Sequence, residues 1–281
     1  MNNTEKRVVL ITGASSGIGK LTAIQLADEG YQVYAAARRL EKMTELKERG
    51  IIPIALDITN EQSIQTVINE ITQQQGRIDV LVNNAGYGSH GALEEISPEE
   101  ARRQFDVNVF GLMRLTQLVL PKMREEGSGK IINISSIAGQ ISTPMCGWYN
   151  ASKHALEALS DALRLEVKQF GIDVIVIEPG PIKTEFDDVV MQQIEKTAKT
   201  EVYQDWRNTW IKMMNQSYKN AVGPEAISEI ISKAIKAKKP KNRYVAPTEA
   251  KIFLFLHWLL SDKAFDKVIL SVIKSRQRTI D

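Results

Sequence analysis

The chain has 281 residues, 43% hydrophobic and 25% charged, an ordinary globular balance at a length that buries a sizeable core. Its net charge of +2, with both signs interspersed, gives no nucleic-acid footprint. One cysteine, Cys146, excludes an intrachain disulfide and fits a reducing compartment, so a cytoplasmic location is expected. Residues 1–7 show no apolar run of the kind a signal peptide needs.

Val8-Val9-Leu10-Ile11 is a short continuous apolar run, as in a strand buried on both faces. Thr12-Gly13-Ala14-Ser15-Ser16-Gly17-Ile18-Gly19 follows, and then a helical pattern closed by Gly30. A glycine turn between strand and helix suits a dinucleotide diphosphate. Gly13 permits the tight turn, Gly17 lets the backbone approach the diphosphate, and Gly19 allows close helix–strand contact. The helix start, with Ser15, Ser16 and Ile18, then offers free N–H groups and a positive dipole end.

Gln32–Ala37 reads as the second strand and runs into Arg38-Arg39. An acid at this point would bond a ribose 2′-hydroxyl, whereas arginine suits a 2′-phosphate, so NADP(H) is expected, with NAD as the alternative. The third strand, 51–56, leads to Asp57-Ile58. Asp57 either accepts from an adenine amino group or caps the helix beginning near Glu61. The fourth strand, 78–82, ends in Asn83-Asn84-Ala85-Gly86, small residues and amides suited to close passage beside a ribose.

A long helical stretch is expected over 98–124, with Ser97 as its N-cap. Asn108 lies inside it in apolar company and needs a buried partner, either structural or a water in a proton path. The fifth strand, 130–134, ends at Ser135-Ser136, where Ser136 either bonds a substrate carbonyl or caps the loop. The sixth, 173–177, enters Glu178-Pro179-Gly180-Pro181-Ile182-Lys183-Thr184. These prolines are expected to forbid helix or ladder and to force a turn beside a nicotinamide, with Pro179, Gly180 and Ile182 along it and Thr184 able to bond the carboxamide.

Strand–helix alternation lapses over 183–222, a segment that falls where a substrate lid would close. Tyr203, Trp206, Trp210 and Met213 stand there at helical spacing, a packing stripe or the apolar wall of a pocket. A helix over 224–238 and a seventh strand at Arg243–Ala246 complete the alternation. The extension 248–281 contains an apolar run, 252–260, too short to span a bilayer. Packing on the lid, burial between subunits and peripheral membrane contact all remain open for it. One Rossmann-type α/β domain with a doubly wound parallel sheet of about seven strands is therefore expected over 1–281.

The chemistry centres on Tyr149-Asn150-Ala151-Ser152-Lys153. Tyr and Lys four residues apart share one helix face. A phenol titrates near ~10, so bringing it to neutrality takes ~3 units, or ~4 kcal/mol, from nearby cations. Lys153 offers one, and an oxidised nicotinamide would offer another. Cys146 reads as a small hydrophobe, and three scattered histidines build no metal site.

Taken together, Thr12 to Gly19, Asp57, the Asn83 to Gly86 run, Asn108, Ser136, Tyr149, Lys153 and Pro179-Gly180 resemble the short-chain dehydrogenase/reductase family over residues 7–185. That resemblance implies a Rossmann sheet, a nicotinamide cofactor and a catalytic set of Asn108, Ser136, Tyr149 and Lys153. Asn108 would keep a water linking Lys153 to solvent. Lys153 would lower the Tyr149 pKa and hold the ribose hydroxyls. The Arg38 position is similar to that of NADP-preferring members, and the tail layout is loosely similar to hydroxysteroid and retinol dehydrogenases. The expected reaction is hydride exchange between NADP(H) and the carbonyl or alcohol of a small apolar substrate, in a homodimer or homotetramer. A non-catalytic nucleotide sensor or interaction protein on the same fold is the rival.

Overall fold

The computed structural model describes residues 6–185, 190, 191, 193, 194, 197, 199–219 and 221–278. Seven parallel strands form one sheet: β1 (Val8–Thr12), β2 (Gln32–Ala37), β3 (Ile52–Ala55), β4 (Val80–Asn83), β5 (Gly129–Ile134), β6 (Ile172–Pro179) and β7 (Arg243–Ala246). Their order is β3-β2-β1-β4-β5-β6-β7, so the winding reverses between β1 and β4. In such sheets a crevice opens at the carboxyl ends beside that reversal, which fixes where a ligand can sit.

The strands are apolar on both faces because both faces are covered. Val9, Ile11, Val33 and Ala35 pack beneath α1 (Gly17–Asp28) and α7 (Glu225–Lys236). Val8, Leu10, Tyr34 and Leu81 point the other way, onto α2 (Glu61–Gln75), α4 (Leu112–Glu125) and α5 (Gly147–Val167). Each fully buried Leu or Ile contributes roughly 1.5–3 kcal/mol. Asn60, not Asp57, caps α2, its Oδ1 accepting from the Ser63 amide at 2.8 Å.

The long helix expected over 98–124 is continuous but not uniform. Ser97 caps α3 (Pro98–Phe105), and a π-helical turn over Asp106–Gly111 joins it to α4. Gly111 is required there, since a Cβ would lie 2.1 Å from the Ile58 carbonyl oxygen. The expectation that prolines exclude a ladder after β6 is corrected at Pro179, which pairs with Ala246. Proline lacks an N–H, but the next residue supplies it: Gly180 N–H donates to Ala246 O at 2.7 Å.

The 183–222 segment is closed at its base by a bridge between Ile182 and Val222. Its helix α6 (Gln204–Lys219) turns Trp210, with Trp206 and Met214 and with Tyr203 just before it, onto Ala92, Met145 and Cys146. The tail forms α8 (Thr248–Leu259) and α9 (Asp262–Arg278), and α9 packs on α6. Phe265 and Ile273 are buried, whereas Ile252, Phe255 and Trp258 face outward, Trp258 78% exposed. No helix among the described residues is long and apolar enough to cross a membrane.

A buried ion pair fastens α6 to the loop after β4. Arg207 Nη1 donates to both Glu95 oxygens, at 2.8 and 3.0 Å, and Glu95 also accepts from the Thr200 amide at 2.9 Å. Both side chains are almost fully enclosed. Glu95→Gln would leave the Arg207 charge buried without its counterion, at a cost of ~3–5 kcal/mol. The expected outcome is faster tryptic cleavage after Lys199 and Arg207 with the thermal transition of the sheet retained; an unchanged cleavage pattern would show that the pair does not hold the segment.

Candidate active site

At the winding reversal the chain stitches β1 to β4 with side chains. Thr12 Oγ1 accepts from the Asn84 and Ala85 amides at 3.0 and 2.9 Å, and Asn84 Nδ2 donates to Thr12 O at 2.9 Å. These bonds hold the two strand ends together beside the glycine turn. Gly13 and Gly17 have φ of +67° and +53°, which disfavours any side chain. A Cβ on Gly19 would come within 2.6 Å of Gly13 O, so close helix–strand contact is its role. Ser16, at the N-cap of α1, makes no side-chain capping bond, and the first turn carries no acid, which leaves its N–H groups available to an anion.

One continuous cavity of about 1300 Å³ runs from this turn to the α6 and tail helices. Its lining includes Gly13, Ser15, Ser16, Gly17, Ile18, Arg38, Arg39, Asp57, Ile58, Asn84, Ala85, Gly86, Ser136, Tyr149, Lys153, Pro179, Gly180, Ile182 and Thr184. Gly19 and Asn108 stand behind that wall. Arg39 Nη2 donates to Ser15 Oγ at 3.4 Å and lies 3.8 Å from Glu185. Asp57 is held by Thr59, whose amide donates to Oδ1 at 2.9 Å. Its carboxyl pKa lies below the ordinary range: burial opposes the shift, but the Thr59 bonds and the Arg38 charge outweigh it. Thr184 packs over Gly17, at the glycine-turn end of the cleft.

The Asn108 side chain is fully engaged. Nδ2 donates to Tyr87 O at 2.9 Å and Ser152 Oγ at 3.1 Å, and Oδ1 accepts from the Tyr87 amide at 3.1 Å. Its side chain therefore ties the loop after β4 to α5, the structural alternative left open by the sequence. The π-helical turn is what brings it there, a local irregularity frequent at functional sites.

Ser136, Tyr149 and Lys153 converge at the carboxyl end of β5. Ser136 Oγ donates to Pro179 O at 3.3 Å, accepts from the Ala138 amide at 3.1 Å, and also bonds the Tyr149 hydroxyl. It is thus both the loop cap and the phenol's neighbour. Lys153 Nζ donates to Ile134 O at 2.8 Å and lies 5.9 Å from the centre of the Tyr149 ring. Part of the Tyr149 ring is open to the cleft, yet burial of its hydroxyl pushes the pKa up to about 12 against the Ser136 bond. Burial likewise brings Lys153 down to about 8, the Glu157 charge working the other way. With these residues alone, then, desolvation outweighs the Ser136 bond at the phenol.

Two features escaped the sequence. Under the site, Asn83 Nδ2 donates to Thr116 Oγ1 and Asn133 Oδ1, and Asn133 Nδ2 to Ser160 Oγ, all within 3.0 Å. The signal was the pair of asparagines interrupting apolar strands. The second is His90, buried in the loop after β4 with its ring centre 5.6 Å from that of Tyr149. Nothing in its sequence neighbourhood marks it. No group of His, Cys, Asp and Glu among the described residues could hold a metal.

This geometry defines a class: a doubly wound α/β protein with a diphosphate-type glycine turn and a Ser–Tyr–Lys cluster in one cleft. A family model described as short chain dehydrogenase matches residues 7–195. The chain is 39% identical, over 85% of its length and 87% of the other, to a 3-ketodihydrosphingosine reductase of Bacteroides thetaiotaomicron. It is 34% identical, over 95% and 98%, to an NADPH-dependent 3-dehydrocapnine reductase of Ornithobacterium rhinotracheale. A crystal structure of a short-chain dehydrogenase from Streptomyces avermitilis superposes with a TM-score of 0.81 at 33% identity, over 99% of this chain and all of the other. The chain belongs to the short-chain dehydrogenase/reductase family of oxidoreductases.

Behind Lys153, Arg243 meets three carboxylates: Asp161 at 2.7 Å, Glu157 at 3.0 Å and Glu178 at 3.3 Å. Burial, then the Glu157 charge, raises Glu178 to about 7 from 4.5. The folded protein therefore holds a proton that the unfolded chain has released between those values. Its contribution to stability is complete below pH ~4.5 and falls by up to ~1.4 kcal/mol per pH unit toward pH 7. Glu178→Gln should remove this slope in urea unfolding between pH 5 and 7.5; a parallel slope in the variant would place the titration elsewhere.

Proposed function

We propose that the protein exchanges hydride between NADP(H) and a carbonyl or secondary alcohol of an apolar substrate. The observation that carries this is the meeting of Ser136, Tyr149 and Lys153 in the same cavity as the glycine turn. A sensor or interaction protein on this fold has no need of that cluster. The residues present fit a nicotinamide dinucleotide: the amides at the start of α1 for its diphosphate, Asp57 and Ile58 for its adenine end, and Asn84 to Gly86 for a ribose. Pro179, Gly180, Ile182 and Thr184 line the rest of its path. The cofactor supplies hydride transfer when bound, and the protein supplies placement and proton handling.

Ser136 orients the substrate oxygen, and Tyr149 moves the proton to or from it. A phenol pushed up to about 12 still gives its proton readily to an alkoxide, which is a far stronger base. Running the reverse direction at neutrality needs ~5 units, or ~7 kcal/mol, of added stabilisation of the phenolate. The resting electrostatics therefore favour carbonyl reduction. Lys153 keeps two of its three donors beyond the bond to Ile134 O, available for ribose hydroxyls. Reduction should hold level from pH 6 to 7 and decline above pH ~8 as Lys153 loses its charge, while alcohol oxidation climbs with pH; a reduction rate rising to pH 9 would refute this assignment.

Tyr149→Phe should lower kcat for ketone reduction by ~10²–10⁴-fold with NADPH affinity retained, checked by stopped-flow turnover beside fluorescence titration. Arg38 and Arg39 both line the adenosine end of the cavity and support the preference for a 2′-phosphate. Replacing either by alanine should reduce the NADP-over-NAD affinity ratio by ~10-fold, measured by calorimetry. Phe110 and Leu165, 62% and 66% exposed on the helices around α4 and α5, support a homo-oligomer formed through that face. The apolar substrate reading rests on Met213, Met214, Phe253, Ile269 and Ile273 along the far wall. A reducing, cytoplasmic setting fits the single buried thiol.

A further inference from the structure

His90 and Trp210 are 3% and 8% exposed, and both line the cavity. His90 Nε2 and Trp210 Nε1 are buried, and neither has a hydrogen-bond partner among the described residues. Their rings are neighbours, with centres 5.9 Å apart, and His90 also stands 5.6 Å from Tyr149. A buried N–H without a partner is rare, and its desolvation is normally offset by a protein group, a water or a ligand.

The histidine is also held in place. Gly91 N–H donates to Met145 O at 2.8 Å, and Thr197 Oγ1 donates to His90 O at 2.9 Å. A side chain on Gly91 would meet Thr197 Oγ1 at 2.7 Å, so this crossing admits nothing larger. On the ring itself, Nδ1 lies 3.5 Å from Cys146 Sγ. Burial keeps the Cys146 thiol protonated and lowers His90 to about 4, so both groups are neutral at physiological pH. A thiol S–H directed at Nδ1 leaves the ring proton on Nε2, where it is a donor like the indole N–H of Trp210.

We propose that His90 Nε2 and Trp210 Nε1 form an oxygen-binding subsite beside Tyr149, taking a neutral hydroxyl or carbonyl oxygen carried one or two carbons from the reacting carbon. This deepens the oxidoreductase reading and rests on it. Two neutral donors suit an uncharged acceptor oxygen. The ring spacing to Tyr149 sets the short separation between the two oxygens. The apolar wall beyond Trp210, at Met213 and Met214, takes the remainder of the chain. The preferred substrates are thus long-chain α-hydroxy ketones or β-keto esters rather than plain ketones.

The test compares methyl decyl ketone, hydroxymethyl decyl ketone and ethyl decanoylacetate in wild type, Trp210→Phe and His90→Phe, each variant first shown to retain its melting transition. Wild type should favour both oxygenated ketones in kcat/KM with NADPH, and each variant should narrow that preference by ~10-fold, because the unpaired donor no longer discriminates. Preference for one oxygenated ketone alone tells hydroxyl from carbonyl. A parallel fall for all three ketones, leaving the ratio intact, would reduce both residues to packing and overturn the subsite. Calorimetry with the same ketones gives a readout without turnover. Tighter binding of an oxygenated ketone in wild type, lost in the variants, supports the subsite even if nothing is reduced, and would then remove the oxidoreductase reading. Turnover with equal binding and equal kcat/KM for all three removes the subsite and keeps that reading.

Discussion

An ammonium group is expensive to bury, and Lys153 is buried. Its position is tolerated because Nζ finds the Ile134 carbonyl at the end of β5, 2.8 Å away. That single bond ties α5 to the carboxyl edge of the sheet and sets the height at which Tyr149, one turn earlier, meets Ser136. The same desolvation that endangers the lysine also raises the phenol. One effect, burial, thus bears on both groups and drives each toward its neutral form.

Both groups stand on a frame that repeats polar contacts where apolar packing would be simpler. Asn84 and Thr12 cross-link β1 and β4, Asn83 and Asn133 join β4 and β5 to α4 and α5, and Asn108 ties the Tyr87 loop to α5. The donors of Asn83, Asn84, Asn108 and Asn133 all reach named partners, and such buried polar contacts add specificity of arrangement. The side chains sit where strands end and loops begin, so they fix the mouth of the sheet rather than its core.

The alternation of apolar strands with amphipathic helices was legible because it follows from burial of both sheet faces, and β2 and β7 appear within the expected residues. The glycine turn was legible for a similar reason: positive φ at Gly13 and Gly17 has few substitutes. What could not be read were contacts between distant loops. Nothing near His90 in the chain announces Cys146 or Trp210, and Glu95 looks like any exposed acid until Arg207 closes over it. The partners of Asn108 could not be read either, because the π-helical turn that directs its amide toward Tyr87 and Ser152 leaves no periodic trace. Pro179 misled through its missing donor, since a ladder can continue when the following residue has one.

The molecule separates rigid chemistry from adaptable recognition. Ser136 caps the turn just after β5, and Tyr149 and Lys153 stand on α5, which packs on the sheet, whereas the far wall of the cavity comes from α6, α8 and α9. Methionines and long aliphatics line that wall, side chains that reshape without opening polar gaps. At the joint between the two halves the Glu95–Arg207 pair fastens α6, and the neighbouring rings of His90 and Trp210 each keep a buried nitrogen without a partner among the described residues. In the function proposed, recognition of the reacting oxygen falls to the residues at the sheet edge, recognition of the chain to the helices, and polar selectivity to the seam where they meet.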